Sequence, residues 1–199
     1  MNSLEDLWLS FNNFKTIPPE INHLSSLKKI VFLKNKIERL PQNISELKKL
    51  KHLDLKDNRL ISLPNNLGKI DHLTYLNLKN NNLEALPSSI GNLHSLKELI
   101  LLNNKLTQLP ESLSNLQLLE VLNVSDNPLD GVPSSVLSLT NLKELAIEGL
   151  DLKEIPPELA EFENLEVLKA RNNRIVEFPK FLCKLPNLKY VDLSSNTPK

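Results

Sequence analysis

The sequence predicts an α/β repeat fold, a solenoid whose short parallel strands line one face and whose short helical segments line the other. Three observations support this prediction. Leucine or isoleucine recurs at the same positions every 23 residues, an asparagine and a proline recur with the same period, and the register does not slip along the chain. A fixed period of this size is the signature of a stacked array, in which each unit packs against its neighbours.

The repeats divide the chain into eight complete units and a truncated ninth, so we predict one elongated domain over residues 1–199. A typical unit covers residues 73–95 and reads LTYLNLKNNNLEALPSSIGNLHS. The units begin at Leu4, Leu27, Leu50, Leu73, Leu96, Leu119, Leu142, Leu165 and Leu188.

Each unit first forms a strand and then returns behind it. Leu76 and Leu78 have the period of two that is typical of a strand with one buried face. The return begins at a proline such as Pro87, whose fixed φ and missing N–H suit the first position of a helical turn. Ile90 and Leu93 then face inward. Because parallel strands approach to about 4.8 Å and the helical backs need more room, we expect the array to curve with the sheet inside.

A recurring asparagine follows the strand, where the chain turns away from the sheet. Its side-chain amide can pair N–H and C=O groups that the turn would otherwise bury without partners. Leu150 takes this place in the seventh unit, so we predict a local irregularity there, with a backbone group left unpaired or bonded to water. The predicted structural asparagines are Asn12, Asn35, Asn58, Asn81, Asn104, Asn127, Asn173 and Asn196.

The consensus LxxLxLxxNxLxxLPxxIxxLxx resembles the leucine-rich repeat family over residues 4–199. The 23-residue length, with Leu-Pro before the back segment, is similar to the class found in Ras-suppressor and Scribble-type proteins and in many bacterial repeat proteins. This resemblance implies a right-handed horseshoe with the sheet on its concave face and short 3-10 or α segments on its convex face. It also implies a protein partner, either a small GTPase or signalling protein, or a host or envelope protein.

Composition says little about location. The 24 acidic and 24 basic side chains balance, which favours neither nucleic acid nor an anionic membrane. Glu5 and Asp6 stand where a secretory signal needs a basic start, and the apolar runs are too short to span a bilayer. Cys183 is the single cysteine, so no internal disulfide cap can form. We expect a cytoplasmic protein, while a secreted one whose signal was removed stays open.

Residues of catalytic and ligand-binding motifs do not converge in this sequence. The four glycines never cluster into a phosphate-binding loop. The four histidines occupy four different places in the repeat, whereas metal ligands on adjacent strands would share or neighbour one column. Cys183 falls in a column of mostly small residues, and we interpret it as small filler rather than a nucleophile. We therefore expect no enzyme activity, no cofactor and no metal site.

The concave face is the candidate site, because its outward side chains vary while the core positions do not. An exposed tryptophan beside a phenylalanine has the composition of an interaction hot spot, but both rings can equally serve to cover the first repeat. The charged residues of the last strands can equally be solvated ion pairs. The predicted protein-binding residues are Trp8, Phe11, Val31, Leu33, Lys56, Tyr75, Lys79, Ile100, Leu102, Lys169 and Arg171.

The sequence therefore predicts a non-enzymatic module that binds a protein partner through its concave sheet. The alternative is a self-associating array or a fragment of a larger leucine-rich repeat protein, including a bacterial secreted or surface protein that binds host ligands. The first unit starts at Leu4, so we expect Leu7, Leu9 and Ile17 to lack cover on one side. Homo-association through this repeat is one way to cover them.

Overall fold

The computed structural model describes residues 3–196, which form one parallel sheet wound into a right-handed horseshoe. Within this range nine strands follow one another across the sheet in chain order. Leu76 pairs with Leu99 of the next strand, so the register predicted from the leucines is confirmed. The strands are β1 Asp6–Trp8, β2 Lys29–Val31, β3 His52–Asp54, β4 Tyr75–Asn77, β5 Glu98–Ile100, β6 Val121–Asn123, β7 Glu144–Ala146, β8 Val167–Lys169 and β9 Tyr190–Asp192.

Each return behind the sheet contains one short helical turn. The proline before it is the N-cap residue, not the first helical residue, so that prediction is wrong by one position. Pro87 is extended, with φ −67° and ψ 146°, and its carbonyl accepts the Ile90 N–H at 2.9 Å. Within residues 3–196 the turns are the 3-10 segments Pro19–His23, Gln42–Glu46, Asn65–Lys69, Ser88–Asn92, Glu111–Asn115, Pro157–Glu161 and Lys180–Lys184, and the α-helix α1 Ser134–Leu137.

These helical segments are short. None in the described part of the chain has the length and apolar content needed to cross a membrane. Their inward side chains serve the core instead. Ile90 and Leu93, for example, are fully buried behind the sheet.

Aliphatic side chains fill the space between sheet and back. In the fourth repeat Leu76, Leu78 and Leu83 are fully buried with the two residues of the back segment. The same positions are buried in the repeats of β2 to β8, so continuous rows of leucine, isoleucine and valine run through the array. Each such side chain stabilises the fold by about 1.5–3 kcal/mol. Because a repeat buries its face only against its neighbours, the stability is shared between adjacent units.

The first repeat is covered better than expected. Leu7 and Leu9 are half-buried, but Ile17 is only 3% exposed, so the expectation that Ile17 lacks cover is wrong. An isolated bridge between Thr16 and Arg39 holds this part of the first repeat against the second. That contact explains why Ile17 joins the core.

The recurring asparagines bond to backbone groups of their own turn and also join it to the preceding repeat. Asn81 Nδ2 donates to Leu78 O at 2.9 Å in its own repeat and to Leu55 O at 3.0 Å in the previous one. Its Oδ1 accepts the N–H of Leu60, also in the previous repeat, at 2.9 Å. Asn12 is exposed and donates only to Leu9 O and Ser10 O. The pattern of Asn81 recurs at Asn35, Asn58, Asn104, Asn127, Asn173 and Asn196.

The turn at Leu150 is irregular, as predicted, but its N–H groups find partners. Leu150 N–H donates to Asn173 Oδ1 at 2.9 Å, and Asp151 adds a left-handed residue with φ 62°. Leu129 N–H, which would have met an asparagine at position 150, donates instead to Asn127 O at 2.8 Å. The prediction of an unpaired backbone group is therefore wrong for the Leu129 N–H, because a tight local turn replaces the hydrogen bond to the missing side-chain amide.

The asparagine contacts predict a difference in stability between two variants. Asn81→Ala leaves the buried Leu60 N–H without its acceptor and removes one donor from two carbonyls, so we expect a loss of about 2–3 kcal/mol in the free energy of unfolding. Asn12→Ala removes only exposed contacts, and we expect a loss of about 1 kcal/mol or less. Urea unfolding followed by circular dichroism measures both. Equal losses would show that the contacts between repeats carry no extra stability.

Candidate protein-binding surface

Three rows of side chains form the concave face. The first row begins at Asp6, the middle row at Trp8 and the third row at Ser10, and each continues one repeat later on the next strand. The structure brings the predicted binding residues together on this face, with Phe11 at its rim. Because neighbouring strands of the sheet lie about 4.8 Å apart, consecutive side chains of one row are adjacent.

The predicted residues differ in how much surface they offer. Trp8 is 60% exposed and Phe11 is 69% exposed. Val31 pairs with Trp8 on the next strand but is only 4% exposed. Leu33 and Ile100 are half-buried. The accessible apolar surface therefore comes chiefly from the two aromatic rings.

Several polar residues of the middle row have a structural role that sequence reasoning missed. Asp54 Oδ1 accepts the N–H of Lys56 at 3.0 Å, and Asn123 Oδ1 accepts the N–H of Ser125 at 3.0 Å. Asn77 makes the same contact, to Lys79. These side chains satisfy the backbone where each strand ends. The recurrence of Asp or Asn in this row was the available signal.

A lysine lies over each of the Trp8 and Phe11 rings. Lys29 Nζ is 4.5 Å from the centre of the Trp8 ring, and Lys34 Nζ is 5.4 Å from the centre of the Phe11 ring. Both distances lie within the range of a cation–π interaction. The rings and the two charges thus form one amphipathic patch at the start of the face.

Phe11 and Lys34 also depart from a conformational rule. Their position has a left-handed backbone in all nine described repeats, and Asn, Asp or Gly, which tolerate it best, occupy six of the nine. Phe11 has φ 58° and Lys34 has φ 55°. Such a residue costs about 1–2 kcal/mol in this conformation. The fold therefore gains nothing in backbone stability from these two side chains.

Two rings stack in the middle of the face. His52 and Tyr75 lie on neighbouring strands with ring centres 4.1 Å apart and planes within 1° of parallel. The Tyr75 hydroxyl accepts a hydrogen bond from Asn77 Nδ2 at 3.2 Å. Burial raises the pKa of Tyr75, and the charge of Asp54 adds to this effect. Burial lowers the pKa of His52, and Lys29 lowers it further.

The last strands carry cross-strand ion pairs. Their side chains are partly exposed to solvent, so each pair contributes about 1 kcal/mol or less. Burial raises the pKa of Glu148, an effect that the charge of Arg171 opposes. Of the cations predicted to bind a partner, Lys169 and Arg171 are therefore already engaged by carboxylates. The pairs are Lys169–Glu144, Arg171–Glu148 at 3.5 Å and Arg174–Asp151.

Residues with reactive or metal-binding side chains stay apart. Within residues 3–196 no three histidine, cysteine, aspartate or glutamate side chains lie close enough together to hold a metal ion. Cys183 is exposed, so the interpretation as packed filler is wrong. Its column is tight in inner repeats, where a Cβ on Gly91 would lie 2.1 Å from Ser112 O of the next repeat. Among the described residues no back segment follows the one that contains Cys183.

The His52–Tyr75 stack predicts a pH dependence of stability. The folded-state pKa of His52 lies below its ordinary value of 6.5, so the unfolded chain binds this proton more readily. Its contribution is complete above about pH 6.5 and is lost as the pH falls through and below that value. We expect wild type to lose more unfolding free energy than His52→Gln between about pH 7 and pH 5. Equal losses would contradict the lowered pKa of His52 as the cause.

Comparisons with known proteins place these features in a family. A model described as a leucine-rich repeat region matches residues 90–197, and two further leucine-rich repeat models match residues 2–60 and 72–93. No curated protein matches the chain.

Solved structures share the fold. A leucine-rich repeat protein of Leptospira interrogans is 29% identical with a TM-score of 0.74, over 96% of this chain and 61% of that one. The ectodomain of the Arabidopsis thaliana receptor kinase GASSHO1/SCHENGEN3, in complex with CASPARIAN STRIP INTEGRITY FACTOR 2, is 30% identical with a TM-score of 0.71, over 97% and 27%. An internalin from Listeria monocytogenes shares the fold at 22% identity and a TM-score of 0.80, over 98% and 62%.

This chain thus spans less than two thirds of the length of each of these proteins. One family model alone matches more than half of it, and the strands of the described sheet recur with the register of the repeat. The chain belongs to the leucine-rich repeat family.

Proposed function

We propose that this chain is a non-enzymatic recognition module that binds a protein partner along its concave sheet. The observation that carries the proposal is the exposure of two aromatic side chains, Trp8 at 60% and Phe11 at 69%, on a fold whose aliphatic core is buried. Large aromatic side chains on a rigid surface dominate the energy of protein interfaces, because they bury much area at little entropic cost.

The concave face has the size for such an interface. Nine strands at about 4.8 Å give a surface about 40 Å long, and a standard interface needs about 800 Å² per partner. Leu33, Ile100 and Leu102 add half-exposed apolar area between the charged groups. A polypeptide that crosses several strands would therefore meet apolar anchors and charges in alternation.

The family supports this role. Leucine-rich repeat domains commonly serve as protein-interaction modules, and the 30% identical Arabidopsis ectodomain is in complex with CASPARIAN STRIP INTEGRITY FACTOR 2. The partner classes implied by the sequence resemblance are a small GTPase or signalling protein and a host or envelope protein. Both would present a folded or extended polypeptide to the same face.

Substitutions on and off the concave face test the proposal. Peptides are selected on the wild-type protein from a random 12-residue phage library, and their affinities are then measured for three variants. We expect Trp8→Ala or Arg171→Ala to weaken binding by about tenfold or more, since truncating a hot spot costs about 2 kcal/mol or more. Phe178→Ala is the matched control, because this ring is 59% exposed and lies outside the concave rows.

The binding data decide between surfaces. Thermal melting of each variant verifies that the fold is retained. If the selected peptides bind every concave variant as tightly as wild type, or if only Phe178→Ala weakens them, the concave face is not the binding surface. The proposal then fails.

Self-association through the first repeat is the second candidate function. A cavity of about 500 Å³ opens there, lined mainly by apolar side chains that include Leu7, Leu9, Phe14, Leu24 and Phe32. A second copy could cover this surface and remove it from water. The cavity lies beyond the concave rows, so the two candidate functions do not compete for the same residues.

Light scattering tests the second candidate. If the first repeat associates, the wild-type mass rises with concentration, and Phe14→Glu keeps the protein monomeric because it places a charge in the apolar contact. Leu118→Glu is the control, since Leu118 is 56% exposed and distant in sequence from the cavity. A wild-type mass that stays at one chain over the concentration range excludes self-association.

A further inference from the structure

Charge is distributed unevenly along the solenoid although the whole chain is neutral. Residues 1–99 carry 14 lysines and arginines against 10 aspartates and glutamates, and residues 100–199 carry 10 against 14. The four histidines also fall in the first half. Because the array is elongated, this asymmetry separates the two signs in space and gives each end its own electrostatic character.

The positive excess is concentrated on strands β2 to β4 and the turns that follow them. Residues 29–36, 52–59 and 75–82, which form these strands and turns, contain two carboxylates, Asp54 and Asp57, against six cations. We call these six the basic cluster: Lys29, Lys34, Lys36, Lys56, Arg59 and Lys79.

The basic cluster has no salt-bridge partners. Among the described residues none of its six cations lies within 4.0 Å of a carboxylate oxygen. The two carboxylates are engaged otherwise, because Asp54 Oδ1 accepts the Lys56 N–H at 3.0 Å and Asp57 Oδ1 accepts from Asn80 Nδ2 at 2.5 Å. On the last strands, by contrast, Lys169 and Arg171 are paired with glutamates. In the three concave rows, the cations without a salt bridge therefore lie in the N-terminal half.

The basic cluster borders the exposed aromatic rings. Lys29 and Lys34 each lie over a ring, of Trp8 and of Phe11. At the left-handed position Phe11 and Lys34 replace the Asn, Asp or Gly that the backbone favours. Backbone stability does not explain these two side chains, whereas contact with a partner does.

We infer that the basic cluster, together with Trp8 and Phe11, docks an acidic segment of a partner protein in which apolar side chains alternate with carboxylates. The inference rests on the proposed binding function. It further specifies which half of the concave face binds the partner and the chemistry of that partner. Carboxylates would pair with the lysines, and the apolar side chains would pack on the two rings. Complementary charge would also raise the association rate and make it sensitive to salt.

A polypeptide fits this surface better than nucleic acid does. Nucleic acid bases bind to aromatic side chains by stacking on free ring faces. His52 and Tyr75 already stack on each other. The chain as a whole also has no positive excess.

The first test combines peptide selection with charge reversal. Peptides are selected on wild type from a random 12-residue phage library, synthesised, and titrated by fluorescence anisotropy at low and high salt. We expect the selected peptides to be rich in aspartate, glutamate and apolar residues. The double variant Lys56→Glu/Lys79→Glu should weaken them at least tenfold, and high salt should weaken them further. Lys180→Glu/Lys184→Glu makes the same charge change on exposed residues outside the face and should alter the affinity less than twofold.

The second test uses the left-handed position. Phe11→Asn and Lys34→Asn introduce the residue that this backbone favours, so we expect the melting temperature to stay the same or rise. If both side chains serve binding, the affinity for the selected peptides falls at least fivefold in each variant. Lost affinity therefore cannot be attributed to unfolding. Unchanged affinity in both variants overturns the role assigned to this position.

The outcomes separate the inference from the proposed function. Peptides that are not acidic, or that lose affinity only in Arg171→Ala, overturn the inference and leave concave binding intact. Peptides insensitive to every concave variant overturn both. A short DNA duplex that binds wild type and not Lys56→Glu/Lys79→Glu, where the peptides show no such difference, overturns the acidic polypeptide as the ligand.

Discussion

The need to pair buried backbone groups at each turn is the constraint on which the rest of this structure depends. A lone repeat cannot meet it, because Asn81 reaches the carbonyl of Leu55 and the N–H of Leu60 only in the preceding repeat. The aliphatic rows impose the same dependence through burial. Together the two requirements fix the length of every unit, since an insertion would displace the amide from its partners.

That constraint frees the concave side chains. The core and the asparagines hold the strands in register, so a residue of the middle row contributes little to the fold unless it closes a local turn. Asp54 and Asn123 do close one, whereas Trp8 does not and is exposed. Residues that close local turns and residues of the proposed binding surface therefore lie on the same strands, and each residue has to be assigned by its contacts.

The fold and the asparagine contacts were predictable because both follow from a strict period, which repeats one physical requirement many times. The differences in solvent exposure between members of one row could not be predicted from the sequence. Val31 and Trp8 share a row, yet one is buried and the other exposed, because accessibility depends on the size of neighbours across strands. The cover over Ile17 and the tight turn at Leu129 likewise depend on single contacts, which no period encodes.

Backbone conformation is stronger evidence for the role of a surface residue than its residue type is. A lysine or a phenylalanine on an exposed strand has no cost, so its presence there is weak evidence of a role. At a left-handed position the same side chain opposes the backbone by about 1–2 kcal/mol, and Phe11 and Lys34 both occupy such positions. Each also lies in a contact between a ring and a cation. Because neither the local backbone nor the core favours these two side chains, their presence at this position supports the contact with a partner that we propose.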